Sequence, residues 1–519
     1  MAKIAIVGAG IAGLYCASEL SERNHTVTVF EALDRLGGRI ETQDLQGFKA
    51  ECGPMRFELE IEPFFEKLTK DTLQITFGDF PPTKSGNAEF PKYELQPNEM
   101  SAEQKSAAAK LMLTGVDAKV SHGINSHHTK PLDLLKYGLY RIFHREPAEL
   151  ALGLEDVVSG DGGSRISLYA GTLGDEQYNY IRTKQTLDGV RLFALGFWNA
   201  LSRVLSPGAV AKIRETGTFY HLLPENPSAS EWSIFWLRLF KPNAKLSTIK
   251  AGVEIIVKRL EDKLAAKSNL TILRRTVVER VFEDETGKLR VSTAAGPFQS
   301  SFDHVILAIP AVPLQALADN FPREIREYVR GVIPFPLTKI FVVIRKPWWK
   351  ALPQPQEGAH LVPTREVHYF PGADVGQPNH GMVMFYTDRP ATSYWHSYVR
   401  LPHNAAQIDD PVSLEHELAL QLSQLLPSSG PDSEAHVKRV RDSIVSYAIR
   451  DWSKPPFGAA CHAWAPNIRV PTALDHLKAF SLKGASGTKN VHVCGEAYSD
   501  YQGFIEGALK TAEAVIVTI

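Results

Sequence analysis

The chain has 519 residues, with 57 Lys and Arg against 58 Asp and Glu for a formal net charge of -1, and 44% hydrophobic residues. This is the composition of a globular protein of about two to four domains. It excludes a disordered or fibrous chain, and the charge balance argues against a general affinity for nucleic acid or anionic membrane.

The first 31 residues carry the densest signal. Ile4 to Val7 predicts a short buried parallel strand, and Gly8-Ala9-Gly10-Ile11-Ala12-Gly13 follows it directly. Leu14, Ala17 and Leu20 recur at helical spacing within Ile11 to Arg23, and His25 to Phe30 predicts a second strand that ends at Glu31. Gly8 permits a tight turn, Gly10 has no side chain to obstruct a pyrophosphate, and Gly13 lets helix and strand pack closely. Free amides at the helix start suit phosphate, and the Glu31 carboxylate suits two ribose hydroxyls. Strand, glycines, helix, strand and terminal acid together predict a dinucleotide site. Met1-Ala2-Lys3 leads straight into the first strand, so no signal peptide is expected, and no apolar run reaches the roughly 20 residues of a membrane helix. Cys16, Cys52, Cys461 and Cys494 are too scattered for a disulfide framework. They suit reduced thiols in a cytoplasmic compartment. No CxxC, HxH or HExxH spacing occurs, so no metal site is expected.

Asp34-Arg35-Leu36-Gly37-Gly38-Arg39 adds a second glycine pair between arginines, suited to a further grip on the pyrophosphate. Residues 61–100 read as loops and irregular strands, and 101–215 as mainly helical. The helical runs are Ser101 to Leu113, Leu132 to Phe143 and Leu187 to Leu205, with a loop at Gly160 to Gly163. Pro334 to Ile344 predicts a strand, His360 to Tyr386 two or three strands, and Leu414 to Leu426 an amphipathic helix. Asn490 to Cys494 predicts a strand, followed by Gly495-Glu496 and a helix from Phe504 to Val517.

The run EALDRLGGRI after the first strand pair resembles the signature of the FAD-dependent amine oxidase superfamily. Asp303-His304-Val305-Ile306-Leu307-Ala308-Ile309-Pro310 and the terminal CGEAYSDYQGFIEGAL are similar to two further segments of it. The order of blocks resembles the L-amino-acid oxidases of bacterial type. The resemblance implies an α/β fold: a split GxGxxG-type FAD-binding Rossmann domain over 1–60, 245–315 and 450–519. A β-rich substrate-binding domain would take 61–100, 216–244 and 316–449, and a helical domain 101–215. It implies FAD, held without a covalent bond, on Gly8, Ala9, Gly10, Ile11, Ala12, Gly13, Glu31, Arg35, Gly38 and Arg39. Further contacts are expected from Gly53, Pro54, Met55, Arg56, Val278, Trp452, Gly495, Glu496, Gly503, Phe504 and Ile505. Cys461 resembles in spacing a cysteine that monoamine oxidases bond to their flavin.

For the substrate, Gly53-Pro54-Met55-Arg56 is similar to the segment whose arginine forks onto the carboxylate of an amino acid, a role lysine fills poorly. The resemblance implies Tyr369 as a second carboxylate ligand. One residue is inserted in that segment, so His368 or Phe370 can hold the place instead. Lys339 matches a lysine that holds a water at the flavin and assists its reoxidation by dioxygen. Gly503 would leave room for the substrate amine, and Phe504 would form a wall. The activity implied is oxidative deamination of L-amino acids, apolar, aromatic or broad, to 2-oxo acids, ammonia and hydrogen peroxide, by loss of the Cα hydrogen as hydride. The partners expected are an amino acid and dioxygen, with a homodimer as the default assembly. Three other readings stand beside it: an amino-acid 2-monooxygenase of the tryptophan type, an amine or polyamine oxidase, and a flavin-binding interaction protein without turnover.

Overall fold

A computed structural model describes residues 1–80, 131–146, 150, 155–158, 166–169, 173–216, 225–239, 245–347, 358–359, 363–364, 366–388, 391–399, 411–425 and 434–519. The expected helix Ser101 to Leu113 and the loop Gly160 to Gly163 lie outside the described residues.

Lys3–Val7 is the middle strand of a five-stranded parallel sheet. Thr26–Phe30 and then Leu270–Leu273 pair on one side of it, His304–Leu307 and then Val491–Val493 on the other. Ile4 and Ile6 face a cluster with the helices Ile11–Glu22, Ile255–Ala265 and Ile505–Thr518, whereas Ala5 and Val7 face a second cluster on the opposite side. Burial on both faces is why this strand reads as an unbroken apolar run rather than an alternation. The second cluster contains Val281 and Val291 of the antiparallel strands Val278–Glu283 and Leu289–Thr293, and also Leu317, Phe321, Ile325 and Val329. The helices after Pro310 therefore pack with the dinucleotide-binding sheet, although the sequence reading starts the substrate-binding piece at 316.

A second, antiparallel sheet runs in the order Gly358–Ala359, Glu366–Pro371, His380–Thr387, Thr338–Arg345, Ile444–Asp451. One face packs Ile340, Val342, Val367, Tyr369 and Val383 against the helices Pro411–Gln424 and Glu434–Ser443. The other packs Phe341, Val343, Met382 and Met384 against Phe48, Cys52, Met55 and Phe457. This second face meets the dinucleotide-binding part and carries the site.

A third cluster gathers the helices Pro131–His144, Asp175–Thr183, Phe197–Val204, Pro207–Thr216 and Ala229–Leu239. Ala229–Leu239 belongs to this helical body by packing, not to the β-rich one. The single helix expected from Leu187 to Leu205 is instead a hairpin, Thr186–Leu187 with Val190–Arg191, and then a separate helix, Phe197–Val204. Asp188 and Gly189 turn the chain with φ of 51° and 73°. Both central residues of a tight hairpin turn need positive φ, and Asp-Gly supplies it at low cost.

Candidate active site

The glycine loop separates two kinds of position. Gly8 has φ of +98°, and a Cβ there would lie 2.6 Å from the Ala308 carbonyl oxygen. A Cβ on Gly13 would lie 1.9 Å from the Gly8 carbonyl oxygen. These two serve packing. A Cβ on Gly10 meets nothing within 4 Å, because that position opens into a cavity of about 330 Å³. Glu31 lines the same cavity and is held by two amides: Ala9 N–H donates at 2.7 Å and Leu33 N–H at 2.8 Å. Burial outweighs those bonds and raises its pKa above the usual carboxylate range. The second loop lies on the first, since a Cβ on Gly38 would come 3.1 Å from Gly10 Cα. Arg35 does not reach the cavity. Its guanidinium donates to the carbonyls of Leu36, Gly38 and Ile40 and pairs with Glu41 at 3.0 Å, so it shapes the loop instead.

At the carboxyl end Glu496 is the hub. Its Oε1 receives Arg39 Nη1 at 2.5 Å and faces His462 Nδ1 at 2.5 Å, and its Oε2 accepts from Gly503 N–H at 2.8 Å. Burial alone would raise this carboxyl, but Arg39 and His462 outweigh it and bring the pKa down to about 2. Burial lowers the pKa of His462, and Glu496 beside it opposes that shift. Arg39 also donates to the Ala460 carbonyl at 2.6 Å. One carboxylate thus ties the arginine of the second loop to the turn that starts the last helix. The sequence assigns His462 no role, because no metal-type spacing marks it.

At the far end of the cavity Lys339 is 2% exposed. Its Nζ donates to the carbonyls of Glu51 at 3.0 Å and Gly53 at 2.5 Å, and it sits 4.7 Å from the Tyr386 ring centre. Burial is the main cause that lowers its pKa to about 8. Trp452 donates through Nε1 to the Cys52 carbonyl at 2.7 Å. The antiparallel sheet therefore grips the Glu51–Gly53 segment from two sides. Trp452, Cys461, Gly503 and Phe504 line this end, as do Tyr386, Trp232 and Phe235, which the sequence did not single out.

Arg56 and Glu366 meet near Lys339 but off the cavity wall, Nη1 to Oε1 at 3.8 Å, and Glu366 Oε1 lies 2.5 Å from His368 Nε2. Register explains the set: Lys339 pairs with Tyr386, and Tyr386 with Glu366, so all three point to one face. Tyr369 does not join them. It is three residues beyond Glu366 and therefore on the opposite face, packed with Ile340, Val342 and Val383. His368 and Phe370, the alternatives left open by the inserted residue, both have the right parity. Gly8, Gly10, Ile11, Ala12, Glu31, Gly38, Arg39, Gly53, Pro54 and Val278 line the cavity, as do Trp452, Gly495, Glu496, Gly503, Phe504 and Ile505. The structure does not bring Ala9, Gly13, Arg35, Met55 or Arg56 to its wall. Met55 instead packs in the apolar cluster beneath the antiparallel sheet.

Residues 11–515 match the family described as flavin containing amine oxidoreductase. The chain belongs to that family. An L-amino-acid oxidase of Crotalus adamanteus is 23% identical over 98% of this chain and 85% of its own length. The L-amino acid oxidase Lm29 of Lachesis muta is 43% identical, over 14% of each chain. The structure of wild-type putrescine oxidase bound to putrescine superposes with a TM-score of 0.60, covering 100% of this chain and 98% of that one at 15% identity, a likeness of fold.

The cofactor of this flavin amine oxidoreductase is FAD, and the described residues fit it. Backbone without side chains opens to the cavity at Gly10 and Gly495, where a Cβ would meet nothing within 4 Å. A pyrophosphate needs that access beside the amino end of the Ile11–Glu22 helix. Glu31 keeps lone pairs beyond its two amide bonds for ribose hydroxyls. Val278 provides an apolar wall at the same end. Among the described residues no helix is long and apolar enough to cross a membrane.

Proposed function

We propose that this flavin amine oxidoreductase is an L-amino-acid oxidase. It removes two electrons and two protons from the Cα–N bond of an L-amino acid, leaving a 2-imino acid. Water converts that to a 2-oxo acid and ammonia, and dioxygen takes the electrons and protons as hydrogen peroxide. The observation that carries the reading is Arg56. It lies against Glu366 on the face that bears Lys339, next to the Cys52–Pro54 segment of the cavity wall. A planar guanidinium at that point suits a substrate carboxylate in two parallel bonds. The distant similarity to L-amino-acid oxidases along most of the chain supports the same reading.

FAD, when bound, supplies the two-electron acceptor and the route to dioxygen. The chain's own residues supply position. Arg56 fixes the carboxylate, so the α-hydrogen is aimed by anchoring rather than drawn off by a side-chain base. Gly503 has φ of +88° and leaves space where a side chain would stand, which suits the substrate amine. Trp452, Phe504, Trp232 and Phe235 exclude water and favour apolar, aromatic or long side chains. Lys339, with its pKa of about 8, holds a hydrogen-bonded proton at the cavity wall where a water can be kept.

One observation favours a second reading. Glu366 is buried beside Arg56, and a buried carboxylate there could receive a substrate ammonium, which would make the protein an amine oxidase and Arg56 its structural partner. Anaerobic titration of the yellow enzyme with L-amino acids, their D-isomers and their decarboxylated amines separates the two. We expect bleaching by L-amino acids only, peroxide on admission of air, and about a hundredfold loss of kcat/KM in Arg56→Ala. Bleaching by amines alone, or an Arg56→Ala enzyme with unchanged affinity for amino acids, refutes the oxidase of amino acids.

A further inference from the structure

Behind Phe504 lies a second, smaller cavity of about 30 Å³, which shares Trp232, Phe235 and Phe504 with the main one. That volume suits about two waters, the space of one carboxylate group. Its outer wall is charged. The single Nε–H of Arg182 is shared between the two oxygens of Glu231, at 2.9 and 3.0 Å. Asp500 pairs with Lys510 at 2.8 Å and with Arg182 at 3.4 Å. Burial opposes the charge on Asp500, but Arg182, Lys510 and Arg238 outweigh it and keep it ionised. These pairs use both carboxylates and both of the first two cations. Arg238 is left over. It lies between the rings of Tyr178 and Tyr501, at 4.8 and 4.5 Å, and donates to the Asp500 carbonyl at 2.9 Å. Among the described residues no carboxylate lies within ion-pair distance of it. Two aromatic faces hold a guanidinium flat and stabilise its charge without neutralising it.

We propose that this pocket is a subsite for a second carboxylate, the side-chain carboxylate of an acidic amino acid, received by Arg238. The inference rests on the amino-acid reading above, with the α-carboxylate on Arg56. The aromatic wall then carries the methylene stem of the substrate, and the anionic end passes Phe504 to Arg238, the one cation among the residues that line the pocket. Arg238 offers further donors beyond the one given to Asp500, and each bond from a charged group to a buried acceptor is worth about tenfold in affinity.

Glutarate and pentanoate test it, because they share a chain length and one carboxylate and neither can be oxidised at a Cα–N bond. Their dissociation constants are read from the shift of the flavin absorbance in the intact holoenzyme. We expect glutarate to bind at least about tenfold more tightly than pentanoate, and this ratio to fall to about one in Arg238→Met and to persist in part in Arg238→Lys. The wild-type ratio stands as a test even if the methionine variant fails to fold. Equal binding of the two acids by the wild-type enzyme, or a ratio that survives in Arg238→Met, overturns the subsite while leaving Arg56 as the clamp. An enzyme that binds neither acid but binds monoamines overturns the amino-acid reading and the subsite with it.

Discussion

Cys461 lies at the cavity wall, with its Cβ 3.9 Å from where a side chain on Gly503 would begin. Burial, and the negative charge of Glu496, push its thiol up and keep it protonated. The thiolate is the reactive form, so this cysteine is poorly placed to attack anything. Precipitation of the holoenzyme with acid is therefore expected to leave all flavin in the supernatant, and a yellow pellet after washing would contradict this. Single residues were legible to different depths. Lys339 stood out because a lysine between strand hydrophobics is costly to bury unless something receives it, and the Glu51 and Gly53 carbonyls do. Tyr369 misled because a strand sends alternate side chains to opposite faces, and one inserted residue reverses the assignment of every side chain after it. Arg238 and His462 carry no local spacing signal. Their partners lie far along the chain, and only folding brings them near.

Among the elements, the amino-terminal strand, loop and helix were legible almost residue by residue. Much of the demand there is local: Gly13 is required by the Gly8 carbonyl five residues away and Gly8 by its own positive φ, although the Ala308 carbonyl, far along the chain, also closes on Gly8. The structure divides the motif into packing and ligand positions, which predicts two different failures. Gly13→Ala drives its Cβ into the Gly8 carbonyl and is expected to destabilise the protein by about 1–3 kcal/mol even without flavin. Gly10→Ala has room and should cost the flavin-free protein no more than about 1 kcal/mol. It should nevertheless weaken FAD binding by at least about tenfold, because the added methyl occupies the cavity. Melting curves of the flavin-free variants with FAD titrations decide it, and Gly10→Ala binding FAD normally would remove that cavity wall from the cofactor site. The helical body was less legible. Asp188-Gly189 is a hairpin signal set inside apolar residues at helical spacing, and the turn chemistry won over the periodicity.

For the whole molecule, the site is a joint. The parallel sheet presents the glycine loops, the antiparallel sheet presents Lys339, Tyr386 and Trp452, and the helical body presents Trp232 and Phe235. Lys339 and Trp452 reach across to the Glu51–Gly53 segment, so the contact between the two sheets contains a buried lysine close to a buried carboxyl. Burial raises Glu51 from 4.5 to about 7 and lowers Lys339 from 10.5 to about 8. The signs follow from proton uptake. Between pH 4.5 and 7 the folded chain holds a proton on Glu51 that the unfolded chain has lost, so stability falls as pH rises through that window. Between pH 8 and 10.5 the unfolded chain holds a proton on Lys339 that the folded chain has released, so stability rises with pH. The flavin-free protein is thus expected to owe to this joint a stability minimum between the two windows, about pH 7 to 8. In Lys339→Met the rise above pH 8 should disappear, and in Glu51→Gln the fall below pH 7, each taken as a difference from the parent so that other titrating groups cancel. Urea unfolding of the three proteins across pH 4 to 11 measures both slopes. An alkaline rise that persists unchanged in Lys339→Met would mean that this lysine keeps its proton in the folded chain, and that the grip on the Glu51–Gly53 carbonyls is that of an ammonium paired strongly enough to offset its burial.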